Sequence, residues 1–202
     1  MKILKVFLIC AISLISIMNH ILYAQEKSSV CFTFDDGSPK NILDYSYIKW
    51  NQMILDHLKD SDLKAIFFVG GKNMDNPKGK IILNSWDSLG HIIANHTYNH
   101  LNYNSEEVSF GKYKDDILLC DSFISSYKNY QRYFRAPFLK YGESKEERDS
   151  LNAFIKRINY KNGYVTIDAS DWFFNMKLIK FLDENPGASI DKYKKAYIDH
   201  LL

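Results

Sequence analysis

Residues 30–37 decide the fold of this chain: Val30-Cys31-Phe32-Thr33-Phe34-Asp35-Asp36-Gly37. The first five residues are apolar or β-branched and predict a buried strand, which the two acids and the glycine then end. Adjacent carboxylates repel each other unless a positive group lies beside them. The acidic pair therefore indicates either an ordinary strand-ending turn, in which Asp and Gly are common, or a site that holds a cation.

The rest of the chain repeats this unit of a strand followed by a helix. After the strand at 30–34, further strand candidates lie at 64–69, 91–94, 132–135 and 164–167. Segments with apolar residues at helical spacing separate them, near 44–59, 80–89, 106–127 and 145–158. Such a series predicts an α/β fold with a parallel sheet, open or closed into a barrel.

Polar residues follow the ends of four of these strands, at 35–36, 96–100, 135–138 and 168–172. The carboxyl ends of parallel strands converge on one rim of an α/β fold, where active sites form. We therefore expect the four clusters to meet in one cleft.

His96 and His100 are four residues apart, which places two side chains on the same side of a helical turn, roughly 5–6 Å apart at Cβ. That spacing suits two imidazoles on one metal, although two histidines on the protein surface could have the same spacing. His57 lies in a helical stretch without acids at ligand spacing, and His91 begins a strand. Both are expected to be structural.

The acidic pair and the histidine pair together form a common metal-binding set, with positions left open for water and substrate. A zinc-like ion lowers the pKa of bound water to about 7. We expect one aspartate to bind the metal and the other to accept the proton of the water as general base.

Four motifs carry a family resemblance: Thr33-Phe34-Asp35-Asp36-Gly37, His96-Thr97-Tyr98-Asn99-His100, Arg135-Ala136-Pro137-Phe138 and Asp168-Ala169-Ser170-Asp171-Trp172. In order and spacing they resemble the polysaccharide deacetylases of the NodB-homology or carbohydrate-esterase-4 family. The resemblance covers most of the chain and implies an irregular (β/α) barrel of the NodB type.

Carried over residue by residue, the resemblance implies that Asp35 is the general base and that Asp36, His96 and His100 hold one divalent metal ion. Zinc is the usual ion in this family, with cobalt or another divalent ion as alternatives. Arg135 would lie beside the catalytic carboxylates and hold the base in place.

The resemblance also implies substrate contacts. The backbone N–H of Phe138 would stabilise the tetrahedral oxyanion, and Trp172 would wall the pocket for the acetyl methyl group. Asp171 would pair with the histidine that acts as general acid, and Asp168 would make a strand-end polar contact. Family members more often have Tyr at position 138, but the backbone role needs no particular side chain.

The family has a fifth motif, Leu-x-His near the end of a late strand, whose histidine is the general acid. Ile198-Asp199-His200 resembles this motif in residue type. However, the apolar residues around it repeat at helical spacing, which predicts a helix rather than a strand end, so we do not expect His200 to be the acid. We expect residues 25–202 to form a catalytic domain that is incomplete at its C-terminal end.

The N-terminal residues have the pattern of an export signal. Lys2 and Lys5 precede an apolar run at 6–18, and Ala24 lies where a small residue would precede cleavage. Asn19 interrupts this run before the roughly 20 apolar residues that a membrane anchor needs. We expect residues 1–24 to be removed, the protein to be secreted or periplasmic, and no stable membrane anchor.

Without those residues the chain has 24 basic and 24 acidic residues. Nucleic-acid binders carry a basic excess, so the composition gives no support for that class of partner. Cys31 and Cys120 remain; two buried free thiols are expected, with a disulfide as the alternative.

The expected function is metal-dependent hydrolysis of non-peptide carbon–nitrogen amide bonds, removing N-acetyl groups from an acetylated polysaccharide or oligosaccharide. Peptidoglycan, chitin-type oligomers and exopolysaccharide are the candidate substrates. Two alternatives remain open: hydrolysis of an acetyl ester or a small cyclic amide on the same fold, and a non-catalytic glycan-binding protein.

Overall fold

The computed structural model describes residues 29–202, so the expected export signal at 1–24 lies outside the described residues. Five parallel strands form one sheet in chain order: β1 (Phe32–Asp36), β2 (Ala65–Val69), β3 (Ile92–Asn95), β4 (Tyr130–Phe134) and β5 (Lys161–Asn162). The predicted α/β fold with a parallel sheet is confirmed.

Helices connect these strands and continue after β5. They are α1 (Tyr47–Asp60), α2 (Gly71–Met74), α3 (Pro77–Ser88), α4 (Phe110–Ile124), α5 (Lys145–Arg157), α6 (Asp171–Glu184) and α7 (Asp191–Leu201), with a 3-10 turn at Pro137–Leu139. Serine side chains at positions 46, 109 and 144 accept hydrogen bonds from the first turns of α1, α4 and α5. These caps satisfy amides that a helix start leaves without partners and so fix where the helices begin.

Three expectations from the sequence are wrong in detail. The segment 164–167 is not a strand; the fifth strand is Lys161–Asn162, and Gly163 N directly after it bonds Phe134 O (2.7 Å). Helix α4 begins at Phe110 rather than near 106, because Ser109 caps it. Cys31 is exposed rather than buried, since it precedes an edge strand; it and the buried Cys120 are both free thiols.

The outer face of the sheet packs against the helices in two apolar clusters. In the first, Trp86 of α3 contacts Phe34 and Phe67, with ring centroids 5.2 and 4.9 Å apart. The second lies under α5 and contains Phe134 and Tyr113. Burial of these large side chains between sheet and helices is the main stabilising contribution to the fold.

The sheet is strongly curved. A guanidinium nitrogen of Arg135, directly after β4, lies 2.8 Å from Thr33 Oγ1 and 2.5 Å from Asp35 Oδ1 on β1. In a flat sheet, β1 and β4 would be about 14 Å apart, farther than an arginine side chain extends. The carboxyl ends of β1 and β4 therefore approach each other across the inner face, a curvature compatible with part of a barrel.

The edge of β1 away from β2 has no strand partner within residues 29–202. Next to it, on the outer face, lies an apolar cavity of about 680 Å³ between β1 and α1, lined by Phe32, Phe34, Ile54 and Leu58 among others. Within residues 29–202 the sheet thus has apolar surface beside a free strand edge.

Helices α6 and α7 form a hairpin in which no residue is buried. Its two helices contact each other through Phe174 with Tyr197 and Phe181 with Tyr193, at centroid distances of 5.1 and 5.2 Å. His200 lies on α7, as its helical spacing predicted. Between residues 29 and 202, none of the helices combines the length and apolar character that crossing a bilayer requires.

His91 is a structural histidine, as predicted, and makes stability depend on pH. Its Nδ1 accepts a hydrogen bond from Ala65 N (3.2 Å), so this nitrogen carries no proton. Burial, aided by the charge of Lys64, lowers the pKa of His91 below its ordinary value of 6.5. The unfolded chain therefore binds a proton at a higher pH than the folded chain, and stability falls as pH decreases below about 6.5.

We predict that His91→Gln, measured by urea unfolding between pH 7.5 and 5, loses less stability with acidification than the parent protein. The exposed His57 provides a matched control, since His57→Gln should keep the parent's pH dependence. Equal pH dependence of His91→Gln and the parent would contradict this role.

Candidate metal centre and active site

Three of the four predicted polar clusters meet at the carboxyl ends of the strands. The acidic pair ends β1, the histidine pair follows β3, and Arg135 follows β4. Each strand end is fixed by its neighbours, since His96 N bonds Val69 O (3.1 Å) and Arg135 N bonds Asn95 O (3.0 Å). The parallel register thus brings side chains that are 100 residues apart in the chain into one group.

Asp36, His96 and His100 form a compact cluster of possible metal ligands. Asp36 Oδ1 lies 2.8 Å from His100 Nε2 and 3.4 Å from His96 Nε2. One ligand atom from each residue lies within 4.8 Å of the others. Ligand atoms of a tetrahedral site with bonds of about 2.0–2.1 Å are about 3.3 Å apart, so this spacing suits a zinc-like ion.

The hydrogen bond of His96 supports this interpretation. His96 is buried, and its Nδ1 lies 2.8 Å from the carbonyl oxygen of Arg135. A carbonyl can only accept, so Nδ1 carries the proton and Nε2 presents its lone pair to the cluster. Metal-bound histidines commonly have their other nitrogen fixed in this way. The donor set fits a divalent ion.

Asp36 is ionised in this cluster. Burial alone would raise the pKa of its carboxyl group, but the close contacts with His100 and His96 outweigh burial and hold the pKa well below its usual range. An ionised carboxylate is the form that binds a metal ion.

Asp35 has a different environment from its neighbour. Its Oδ1 forms an ion pair with Arg135 at 2.5 Å, while Oδ2 faces the ligand cluster, 3.9 Å from His96 Nε2. One oxygen is therefore held in place, and the other remains available beside the ligands. The repulsion expected between the adjacent acids is offset by the guanidinium that pairs with Asp35.

Arg135 is buried, and its Nε and Nη1 atoms donate three hydrogen bonds. Besides Asp35, its guanidinium donates to Thr33 Oγ1 (2.8 Å) and Gly163 O (2.7 Å), and its Cζ lies 4.0 Å from the centre of the Phe68 ring. A side chain added to Gly163 would place its Cβ 2.3 Å from Phe68. The chain therefore needs glycine there to bring its carbonyl to Arg135.

Phe138 lies at the edge of the cluster. Its backbone is left-handed (φ 57°, ψ 11°), and its ring is 58% exposed. The ring packs edge-on against His100 with centroids 4.6 Å apart. The residue predicted to contact substrate through its backbone N–H thus borders the ligand site.

The fourth cluster is not joined to the other three by any hydrogen bond or ion pair that the described residues make. Asp168 bonds Ser170 N, Asp171 bonds Trp172 N at the start of α6, and Trp172 is 66% exposed and contacts Phe173. His200 Nε2 lies 3.2 Å from Ser170 Oγ. The roles of Asp171 and Trp172 stay predictions.

Sequence analysis missed two residues that organise the histidine loop. Asn95 is fully buried and its Oδ1 accepts from Thr97 N (2.9 Å). Asp116 of α4 is also buried and accepts from Asn99. A signal for Asp116 was present, because it shares helical spacing with the buried Tyr113 and Cys120, and an acid on such a face needs a partner.

Comparison with known proteins identifies the family to which this chain belongs. The family model described as polysaccharide deacetylase matches residues 23–153, so the chain belongs to the polysaccharide deacetylase family. This confirms the resemblance found in the motifs.

Two curated relatives agree with this assignment. The peptidoglycan-N-acetylglucosamine deacetylase of Bacillus cereus is 30% identical over 149 residues, which are 72% of this chain and 47% of that protein. The chitin deacetylase of Colletotrichum lindemuthianum is 27% identical over 127 residues, 59% of this chain and 45% of that one. The chain thus spans about half the length of the curated relatives it matches.

Solved structures show the same fold. A crystal structure of a peptidoglycan N-acetylglucosamine deacetylase in complex with 4-naphthalen-1-yl-N-oxidanyl-benzamide matches 74% of this chain and 62% of that chain, with a TM-score of 0.58 and 27% identity. The structure of the Colletotrichum lindemuthianum chitin deacetylase matches 78% of this chain and 66% of its own, with a TM-score of 0.56 and 20% identity. At 20% identity, the match to the chitin deacetylase shows a likeness of fold alone.

We predict that Arg135→Met lowers the free energy of unfolding by about 3 kcal/mol, because each buried acceptor left without a donor costs roughly 1–3 kcal/mol. Methionine keeps an unbranched stem over Phe68 but removes the bonds to Thr33 and Gly163. Urea unfolding measures the change. The exposed Arg157 serves as control, and Arg157→Met should stay within about 0.5 kcal/mol of the parent. A similarly small effect of Arg135→Met would contradict its structural role.

Proposed function

We propose that this protein is a metal-dependent hydrolase that removes N-acetyl groups from an amino-sugar polymer. The observation that carries the proposal is the cluster of Asp36, His96 and His100 beside Asp35, a second carboxylate held by Arg135. One group of side chains suits a divalent ion, and an adjacent carboxylate suits a general base.

Asp36, His96 and His100 would hold the ion, with zinc as the first candidate and cobalt or another divalent ion as alternatives. When bound there, such an ion makes hydroxide available near neutral pH and polarises an acetyl carbonyl. His96 is oriented for this purpose by the Arg135 carbonyl, and His100 Nε2 lies 2.8 Å from the Asp36 carboxylate that would share the ion.

Asp35 would accept the proton of the attacking water at Oδ2. Its Oδ1 is occupied by Arg135, so the carboxylate cannot rotate freely, and its second oxygen stays directed towards the ligand cluster. Arg135 thus acts as the positioning residue of the base. The bond to break is the amide of the acetyl group, with acetate and a free amine as products.

Phe138 and the 168–172 segment would contact the substrate. We assign oxyanion stabilisation to the Phe138 backbone N–H, supported by the packing of this residue against His100. Trp172 would wall the acetyl pocket, and Asp171 would pair with a histidine acting as acid. These two assignments rest on the motif resemblance.

The relatives support a proposal for the substrate class. One is named for N-acetylglucosamine in peptidoglycan and the other for chitin, so both act on polymers that contain N-acetylglucosamine. We propose the same acetylated sugar for this chain, with peptidoglycan, chitin-type oligomers and exopolysaccharide as the polymers to test. The N-terminal pattern supports, within this proposal, a location in the periplasm or outside the cell.

We predict that the protein binds about one zinc ion and that His96→Ala combined with His100→Ala weakens binding by orders of magnitude, because two of three protein ligands are lost. Titration calorimetry on metal-stripped protein measures the affinity. The exposed His57 is the matched control, and His57→Ala should bind as the parent does. Parent-like affinity of the double variant would overturn the ligand assignment.

We predict that Asp35→Asn keeps the bound metal but slows acetate release from N-acetylglucosamine oligomers by about 10²–10⁴-fold, because an amide cannot accept the proton of the water. Asp115→Asn, on the exposed face of α4, controls for the loss of a charge. Loss of metal together with activity would instead make Asp35 a ligand.

The same assay separates the alternative functions. Acetate release from acetylated xylan, with none from N-acetylglucosamine oligomers, would favour an acetyl-ester hydrolase. Binding of the oligomers without acetate release by the metal-loaded parent would favour a glycan-binding protein.

A further inference from the structure

The loop that carries both histidines has an unfavourable backbone. Thr97 and His100 adopt left-handed conformations, with φ of 60° and 55°. This region is disfavoured for residues with a side chain, and most of all for a β-branched residue such as threonine. Such conformations persist only where surrounding contacts enforce them. The geometry of the two imidazoles therefore depends on what holds residues 96–100.

One side of the loop is held by main-chain bonds from the region after β2. Gly71 N donates to Thr97 O (3.0 Å), and Lys72 N donates to Tyr98 O (2.7 Å). A Cβ on Gly71 would lie 2.4 Å from the Tyr98 ring, so the two segments are in close contact. These bonds engage the carbonyl groups of the loop.

The other side is held by Asp116 of α4. Both of its carboxylate oxygens accept from Asn99 N (3.1 and 3.0 Å), Oδ1 also accepts from Asn99 Nδ2 (2.6 Å), and its carbonyl accepts from Tyr98 N (3.2 Å). The residue is only 4% exposed. These bonds engage the N–H groups of the loop.

The buried carboxylate of Asp116 is stabilised by hydrogen bonds rather than by an ion pair. In the part of the chain that the structure describes, no lysine, arginine or histidine forms an ion pair with it. A buried charge is costly unless it is paired or hydrogen-bonded, and here N–H donors of the loop provide the hydrogen bonds. The carboxylate and the loop conformation are thus mutually dependent.

We propose that Asp116 is a positioning residue of the metal centre: it holds the loop 96–100 so that His96 and His100 face the same ion. The assignment of an ion to this cluster rests on the proposed function, whereas the ordering of the loop does not. Asp116 itself does not contact the ligand atoms; it acts through Asn99, the residue next to His100.

The decisive variant is Asp116→Asn, which keeps the shape of the side chain. One carboxylate oxygen becomes an NH₂ group, so a donor would face the Asn99 N–H, and the negative charge is lost. Asp115→Asn is the matched control, because it makes the same chemical change at the adjacent, exposed position of the same helix.

Two measurements are needed. The first is hydrogen exchange of the 96–100 segment in the metal-free protein, for which we expect Asp116→Asn to exchange about tenfold faster or more, with α1 unchanged. The second is zinc affinity by calorimetry, for which we expect a loss of about 10–100-fold, as is typical when a residue that orients metal ligands is replaced. Asp115→Asn should match the parent in both measurements.

A lower melting temperature with unchanged loop exchange and unchanged zinc affinity would overturn the proposal, since Asp116 would then only support α4. If Asp116→Asn does not fold, the variant Asn99→Ala tests the proposal instead. It removes only the 2.6 Å hydrogen bond from Asn99 Nδ2 to Asp116 Oδ1. It should weaken zinc binding several-fold, and parent-like affinity and exchange would again overturn the proposal. If the parent binds no zinc, the proposed metal centre fails, while loop exchange still tests Asp116.

Discussion

The structure depends on the contacts of one buried side chain, Arg135. Its guanidinium joins Asp35 and Thr33 on β1 to the carbonyl of Gly163 beyond β5, across the inner face of the curved sheet. Its own carbonyl fixes the ring of His96. Because such a cation is costly to bury without hydrogen bonds, the sheet and the site are constrained together. The same residue thus closes the inner face, holds the candidate base and orients a candidate ligand.

Backbone strain is concentrated around this arrangement. Asp36, Thr97, His100 and Phe138 all have positive φ values, between 55° and 68°. Each lies at the end of a strand or in the loop that follows one. The cost of such conformations is met by the surrounding hydrogen bonds, as is common at functional sites.

The sequence predicted much of the fold because helical and strand periodicities are local properties. The order of strands and helices, the rim on which the clusters meet and the helical position of His200 all follow from patterns within about 15 residues. The segment 164–167 shows the limit of this approach. Its apolar residues suit a strand, but the pairing of β5 with β4 ends at Asn162. Gly163, the next residue, lies against the ring of Phe68, a contact with a residue more than 90 positions earlier that no local pattern predicts.

For the candidate site, the sequence alone determined which residue types were available: two adjacent acids, two histidines four residues apart and an arginine before a proline, each after a strand. Only the tertiary structure decided which of these side chains contact one another. It placed Asp36 against both imidazoles and Asp35 against Arg135, and it left Asp171 and Trp172 on an exposed helix start. It also brought in Asp116, which no motif contains. The physical reason is that local sequence sets the direction of each side chain relative to its own strand, whereas the curvature of the sheet and the packing of α4 set which side chains meet.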